Sequence, residues 1–188
     1  MGIAQRNSSE DAMSVEVTGW KLAGTGATAD RDGKTEWTNP GNVTAKDATY
    51  ATVSAPKGDY VDWLRATNFG FTTADIPVGS TIINIDIRIR QYASGADAYD
   101  SALYLRRTAG QFGSNYASAV VWPTSAADRV YEALSSESLT SADLLSSDFG
   151  VDLSGQSASS TASRTLYVDS VEIRARYVKR AYMFSLME

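Results

Sequence analysis

The stretch TIINIDIRIRQY, residues 81–92, carries the clearest pattern in the chain and decides the fold class. Four isoleucines fall on one side of it: Ile83, Ile85, Ile87 and Ile89. Polar residues fall on the other side: Asn84, Asp86, Arg88 and Arg90. β-branched residues at every second position are typical of a strand that buries one face. The stretch therefore predicts a half-buried β-strand whose isoleucines point into a core.

A second stretch, YVDSVEIRARYV at residues 167–178, repeats this alternation. Its inward positions are Val171, Ile173, Ala175 and Tyr177, and charged residues lie between them: Glu172, Arg174 and Arg176. Weaker strand patterns follow the same logic. Val15 and Val17 are inward positions of the first, Tyr50 lies in the second, and Leu103 and Leu105 point inward in the third. A fourth ends at Trp122, and a fifth carries Tyr182, Phe184 and Leu186. The best helical signal is a turn or two between Thr140 and Leu145. Many short strands separated by turn residues predict a β-sandwich or barrel.

Two similar phrases, NFGF at residues 68–71 and DFGV at residues 148–151, are interpreted as structural corners. Their aromatic rings would plug the end of the sandwich, while each glycine permits a bulge or a close backbone approach. Asn68 and Asp148 would bond neighbouring backbone groups. The predicted buried set is Ile83, Ile85, Ile87, Ile89, Val171, Ile173, Phe69 and Phe149. Residues 23–37 are interpreted as a loop, and residues 154–164, which are nearly all small and polar, as a hairpin tip or an exposed loop.

The composition excludes several classes of chemistry. The chain of 188 residues contains no cysteine and no histidine. It therefore lacks thiol nucleophiles, disulfides, the usual nitrogen metal ligand and the usual general base. Its net charge of −5 opposes nucleic-acid binding through phosphate neutralisation. No apolar run approaches the roughly 20 residues that span a bilayer, so we expect neither a nucleic-acid nor a membrane partner.

One motif formally matches a nucleotide site. GTGATA, residues Gly24–Ala29, fits the dinucleotide fingerprint. That chemistry needs a helix directly after the glycines, whereas turn residues follow here. The motif is therefore interpreted as a flexible linker, and we expect no cofactor.

Acidic residues form two short clusters. Asp30, Asp32, Gly33 and Glu36 imitate the start of a calcium loop, and Asp97 and Asp100 form a similar stretch. Both lack the complete ligand pattern and are interpreted as solvated turns, so we expect no metal site. A catalytic carboxylate pair is recognised by its separation in space, which spacing along the chain does not give. Since the acidic residues fall mainly in turns and on outward strand faces, we expect solvated surface charge and no enzyme activity.

Aromatic residues offer another kind of site. Four tryptophans and ten tyrosines could supply platforms on which sugars stack. The tryptophans are Trp20, Trp37, Trp63 and Trp122. Strands and interfaces also favour aromatic residues, and a buried or interface role is the preferred interpretation. Two tryptophans exposed in one groove would favour sugar binding instead.

Over residues 36–178 the sequence resembles a family of β-sandwich structural proteins encoded in tailed-bacteriophage and prophage genomes. The resemblance rests on an ordered series of short matches: Trp37, Asn39-Pro40, Asn42, Asp47, Tyr50-Ala51, NFGF, Ile76-Pro77, Asn115, Trp122, DFGVDL, Asp169 and Tyr177. The chain departs from the family pattern after Tyr131, where EALSSESLTSADLL replaces a segment rich in Gly and Trp.

The resemblance implies a jelly-roll-like antiparallel β-sandwich within a virion assembled in the bacterial host cytoplasm. The expected boundaries are an N-terminal arm and loop at 1–35, the sandwich at 36–178 and a C-terminal tail at 179–188. The expected function is a non-enzymatic capsid decoration or cement protein whose partners are the major capsid protein or tail proteins. The alternative is a tail or fibre component, or a carbohydrate-binding module for host adhesion.

We also expect a homo-oligomer, a trimer first. The charged faces of the two main strands mix signs, which suits self-complementary contacts. The tail carries Tyr182, Phe184 and Leu186 beside Lys179 and Arg180, and would be buried against a neighbouring chain. The alternative is a tail that forms the last strand of its own sheet.

Overall fold

A computed structural model describes residues 14–134 and 139–179 of the chain. In this part of the chain, eleven strands and two short helices follow one another. The strands are β1 Val15–Val17, β2 Lys21–Leu22, β3 Thr25–Ala29, β4 Ala51–Ala55, β5 Trp63–Thr67, β6 Thr81–Ala93, β7 Ala98–Arg107, β8 Gly110–Phe112, β9 Ala127–Leu134, β10 Gly150–Ser157 and β11 Arg164–Val178. A 3-10 helix spans Pro40–Val43, and α1 spans Ser141–Leu145 with Thr140 as its N-cap.

The strands form two antiparallel sheets that pack face to face. Sheet A contains the order β4-β11-β6-β9, and β1 and β2 pair with the remaining length of β11. Sheet B has the order β3-β5-β10-β7-β8. Without β3, the two sheets have the orders β4-β11-β6-β9 and β5-β10-β7-β8. This alternation of early and late strands in two facing sheets is the strand order of a jelly roll. The predicted all-β, jelly-roll-like sandwich is thus confirmed.

The core is built on the two strands that the sequence singles out. β6 and β11 pair directly, with Ile87 opposite Ile173. Seven of the eight residues predicted to be buried are at most 3% exposed. Ile83 is the exception, since it is 41% exposed. The pairing with β11 shifts by one residue beside it, so this bulge turns Ile82 inward and Ile83 outward.

The outer faces of β6 and β11 are less solvated than their sequence suggests. Asp86 is 1% exposed because it lies beneath Arg174 and accepts a hydrogen bond from the Ala133 amide. Glu172 is buried in a two-bond pair with Arg88. The interpretation of the acidic residues as mainly solvated surface charge is therefore wrong at these positions. The charged groups satisfy one another across the sheet instead.

The two Phe-Gly phrases are neighbours in space. NFGF directly follows β5 and DFGV leads into β10, and Thr67 of β5 is paired with Gly150 of β10. The rings of Phe69 and Phe149 are buried, which supports the interpretation as a corner. The carboxylate of Asp148 accepts a hydrogen bond from the Thr108 hydroxyl rather than from a neighbouring backbone group.

Gly70 and Gly150 are needed for different steric reasons. Gly70 has a φ of +66°, a left-handed conformation that favours glycine. Gly150 lies so close to β5 that a side chain would collide with the carbonyl oxygen of Ala66. The two Phe-Gly phrases therefore form one corner of the sandwich, where β5 ends and β10 begins, and each glycine meets its own steric requirement.

Residues that the sequence places outside the sandwich take part in it. β1 and β2 pair with β11, and β3 pairs with β5, so the sandwich begins before residue 36. Val15 and Val17, expected to point inward, are 59% and 49% exposed. The tail residues 180–188 and the first residues 1–13 lie outside the described part of the chain.

Three local predictions are corrected. Residues 23–37 contain β3 rather than only loop, and residues 154–164 contain the end of β10. Since β10 and β11 belong to different sheets, the segment between them crosses the sandwich and is no hairpin tip. The segment that ends at Trp122 forms no strand, although Trp122 is fully buried.

Candidate functional site

The motifs considered for nucleotide and calcium binding do not assemble into sites. The segment Gly24–Ala29 contains β3, the edge strand of sheet B, and Gly26 packs against the backbone of Pro40. Asp30 accepts a hydrogen bond from the Gly33 amide, and Asp32 accepts one from the Tyr60 hydroxyl. Across residues 14–134 and 139–179, no group of three or more acidic side chains is placed to hold a metal ion.

The second acidic stretch is divided between two environments. Asp97 forms an ion pair with Arg164 at the surface. Asp100 is buried, and its Oδ1 accepts a hydrogen bond of 2.7 Å from the indole of Trp122. Its Oδ2 accepts bonds of 2.8 Å from the Tyr131 hydroxyl and from the Ser118 amide. Asp100 is therefore a structural acceptor and no solvated turn residue.

The tryptophans do not share a groove. Trp37 and Trp122 are buried in the core. Trp20 and Trp63 are half-buried, but they belong to opposite faces of the sandwich: the guanidinium groups of Arg88 and Arg174 cover Trp20 on sheet A, while Trp63 begins β5 of sheet B. Tryptophans alone thus do not form a sugar platform.

Tyrosines complete an aromatic surface on the outer face of sheet B, hereafter the aromatic face. It contains Tyr60, Trp63, Tyr99 and Tyr104, all half-buried. Tyr104 meets Trp63 edge to face with ring centroids 6.0 Å apart. Gln156 of β10 lies between Tyr60 and Tyr99, because it pairs with both of them.

A cleft of about 470 Å³ opens at the Tyr99 end of the aromatic face. Tyr99 and Gln156 line it together with the segment Ala117–Ala119 and Ala158, and Asp100 lies at its base. The Tyr99 ring has no aromatic partner, and neither its hydroxyl nor the Gln156 amide bonds another group in the described part of the chain. Because Asp100 uses its oxygens on core donors, the groups left for a ligand are uncharged.

The far end of the aromatic face is closed by its own polar groups. Asp152 is fully buried although it lies on the outer side of β10. Arg65 donates to it from Nε at 2.9 Å, Gln111 from Nε2 at 2.9 Å and Arg106 from Nη1 at 3.3 Å. These donors shield the carboxylate, so the cleft end is the open part of the face.

A second aromatic cluster lies on the opposite side of the molecule. Tyr92 and Tyr167 stack with centroids 4.2 Å apart, and Tyr50 meets both rings edge to face. Burial, followed by its two neighbours, raises the pKa of Tyr92. These rings pack on one another, whereas the ring of Tyr99 has no aromatic partner within residues 14–134 and 139–179.

The carboxyl groups with shifted pKa values do not suit glycosidic acid catalysis. In the described part of the chain the shifted pKa values belong to Asp59, Asp75, Asp86, Asp97 and Asp128, and all five are lowered. A hydrogen bond from a neighbouring cation is the main cause for Asp59, Asp75 and Asp97. For Asp86 and Asp128, burial would raise the pKa, but nearby donors outweigh it. A general acid in glycoside hydrolysis needs the opposite shift.

No helix in the described ranges has the length and apolarity to cross a membrane.

Comparison with known proteins yields structures and no sequence family. No family model and no curated protein matches the chain. A structure described as "CBM4 structure and function" is 13% identical, with a TM-score of 0.39, over 84% of this chain and 94% of that one. Xylanase10C from Cellvibrio japonicus in complex with xylopentaose is 12% identical, with a TM-score of 0.43, over 84% of this chain and 27% of that one.

The N-terminal cellulose-binding domain of β-1,4-glucanase C from Cellulomonas fimi is also similar to this chain. It is 14% identical, with a TM-score of 0.34, over 87% of this chain and 91% of that domain. At these TM-scores the likeness carries no functional argument.

Sequence patterns missed the residues that form the cleft. Alternation in β7 placed Leu103 and Leu105 inward, which already implies that Tyr104 points outward. Tyr99 was not found because the alternation is interrupted at Ser101, where β7 and β10 shift register. Gln156 fell within a segment interpreted as a loop.

Proposed function

We propose that this protein is a non-catalytic carbohydrate-binding module whose site is the cleft at the end of the aromatic face. The observation that carries the proposal is the pair Tyr99 and Gln156. They stand side by side in one register and line the cleft, and the polar groups of their side chains bond no other described residue. An aromatic face beside a free amide is the combination that a sugar ring requires, since its C–H face stacks and its hydroxyls form hydrogen bonds.

The size and charge of the cleft indicate a small neutral sugar unit. Its volume of about 470 Å³ lies within the range of small-ligand sites, roughly 300–1,000 Å³. The lining apart from Asp100 is uncharged, and Asp100 is committed to Trp122, Tyr131 and Ser118. A neutral saccharide therefore suits the cleft better than a phosphate or a carboxylate.

Binding without turnover suits the same groups. The chain has no histidine or cysteine to act as base or nucleophile. The carboxylate at the base of the cleft is held by three donors and has its oxygens turned toward the core. Its role is then to fix the wall that carries Ser118 rather than to transfer a proton.

The setting of the module remains the virion predicted from the resemblance, with a tail or fibre component for host adhesion now preferred to capsid decoration. Capsid decoration, the trimer and the virion partners stay predictions. The aromatic cleft favours adhesion because a decoration protein that contacts only other proteins has no use for a sugar-sized site.

Calorimetric titration with neutral oligosaccharides tests the proposal. Binding is expected for the native chain and to weaken about tenfold or more in Tyr99→Ala and in Gln156→Ala, as loss of about 1.4 kcal/mol implies. Tyr50→Ala is the matched control, since it removes a half-buried tyrosine from the opposite face. Equal loss in the control, or no binding of any neutral glycan in a broad array, would refute the proposed function.

A further inference from the structure

One arginine side chain lies across the aromatic face beside the cleft. The backbone N–H of Arg31 donates to Oδ1 of Asp62 at 2.9 Å, which anchors the residue next to β5. Its Nη1 donates to the hydroxyl of Ser101 at 2.9 Å, and Ser101 belongs to β7. Since β10 lies between β5 and β7, the side chain passes over β10.

Aromatic rings hold this guanidinium group in place. Its central carbon lies 4.1 Å from the ring centroid of Tyr60 and 4.5 Å from that of Trp63. Two small outer-face residues at this level, Ser154 and Ala102, are 0% and 2% exposed, as expected beneath a side chain that lies over them. Stacking and the bond to Ser101 together fix the guanidinium from several sides.

The position of Arg31 relative to the cleft is set by the strand register. Tyr60, Gln156 and Tyr99 form one row across the face. Trp63 lies on the next row toward Tyr104. The guanidinium stacks on a ring from each row, so it lies at the boundary between the cleft and the rest of the aromatic face.

We propose that Arg31 closes this end of the cleft, so that the site binds the terminal sugar of a glycan rather than an internal segment. The inference rests on the proposed function and adds its specificity. A chain that continued along the face would have to displace the guanidinium from both rings and from Ser101. A terminal sugar in the cleft leaves all of those contacts intact.

A series of neutral oligosaccharides, from monosaccharide to hexasaccharide, tests this specificity. For the native chain the affinity is expected to reach its maximum at the first or second sugar. In Arg31→Ala the affinity is expected to keep rising along the series, by about tenfold or more in total, because further sugars gain access to Trp63 and Tyr104. Lys34→Ala is the control, since the Lys34 ammonium also lies over Tyr60, at 4.6 Å, and pairs with Asp59 instead of crossing the sheet.

A second measurement uses the native chain alone and does not depend on the folding of a variant. Oligosaccharides chemically blocked at one end or at the other are titrated in parallel, and blocking one of the two ends is expected to abolish binding. If the sugars blocked at one end and the sugars blocked at the other end both still bind, the terminal-sugar inference is overturned and the proposed function stands. An affinity of the native chain that keeps rising up to the hexasaccharide would have the same consequence. Absence of binding to every unblocked member overturns the proposed function and the inference with it.

Discussion

Replacing Asp100 by Asn removes one charge at the point where the core meets the cleft. Oδ1 of Asp100 accepts the Trp122 indole N–H, while Oδ2 accepts the Tyr131 hydroxyl and the Ser118 amide. Nη1 of Arg129 lies 3.7 Å from Oδ2 of Asp100. An asparagine has nearly the same shape but a single acceptor oxygen. Whichever way its amide turns, an NH₂ group faces a buried donor.

The expected cost follows from these contacts. One buried donor left without an acceptor costs about 1–3 kcal/mol. The remaining bonds lose their charge assistance, and hydrogen bonds to charged groups contribute about 1.5–3 kcal/mol against roughly 1 for neutral ones. The easier burial of a neutral amide offsets part of this loss. We expect Asp100→Asn to lower the unfolding free energy by roughly 2–4 kcal/mol.

Urea denaturation followed by circular dichroism measures this change. Asp97→Asn is the control, because its carboxylate lies three residues away and forms a surface ion pair with Arg164, and we expect little change from it. Sugar affinity should also fall in Asp100→Asn, since the Ser118 amide that positions the cleft wall loses its charged acceptor. An unfolding free energy within about 0.5 kcal/mol of the native value would refute this account of the buried carboxylate.

Three further outcomes are expected. Ile87→Ala should cost about 2–5 kcal/mol through lost burial and a cavity, whereas Ile83→Ala, at the exposed bulge, should stay within about 0.5 kcal/mol in the same denaturation assay. Gly150→Ala should lower the unfolding free energy more than Gly70→Ala, because a side chain at Gly150 would collide with the backbone of β5. At Gly70 an alanine would only have to adopt a left-handed conformation, at a cost of about 1–2 kcal/mol. Equal shifts of the melting temperature would contradict this. Burial, and then the charge of Asp100, hold the pKa of Tyr131 well above its ordinary value of 10.0, so this group stabilises the fold below that pH and its contribution is lost as the pH rises further. Unfolding measurements that show no decline in stability above about pH 10 would refute the last expectation.

The inward faces of the two central strands were predictable because each strand buries one face. Alternation identified β6 and β11, whereas their direct pairing and its register were seen only in the structure. Ile83 was not predictable, since its direction depends on a bulge that forms only when β6 pairs with β11. The burial of Asp86 was not predictable either, because its main partner Arg174 is 88 residues further along the chain.

The candidate site was harder to predict because its parts meet only through tertiary structure. Tyr99 and Gln156 become neighbours through a register that includes a shift at Ser154. Arg31 lies in a segment of loop composition, and its bond to Ser101 crosses 70 residues of sequence. A single sequence indicates that aromatic residues are plentiful, but it does not indicate which of them keep a free face.

The two outer faces of the sandwich differ in what a partner would have to displace. On sheet A, Arg88 and Glu172 are joined by two bonds of 2.6 Å, and the guanidinium groups of Arg88 and Arg174 both lie against the ring of Trp20. A second chain docking there would compete with contacts that already satisfy these charges, so mixed signs on this face no longer support an oligomer. At the cleft, Gln156 offers an amide without a partner among the described residues, and a ligand gains its bonds without breaking any. A polar group that is already bonded within the protein gains little free energy from a ligand, whereas an unbonded one gains a complete hydrogen bond. We therefore expect an external ligand to bind the outer face of sheet B rather than that of sheet A.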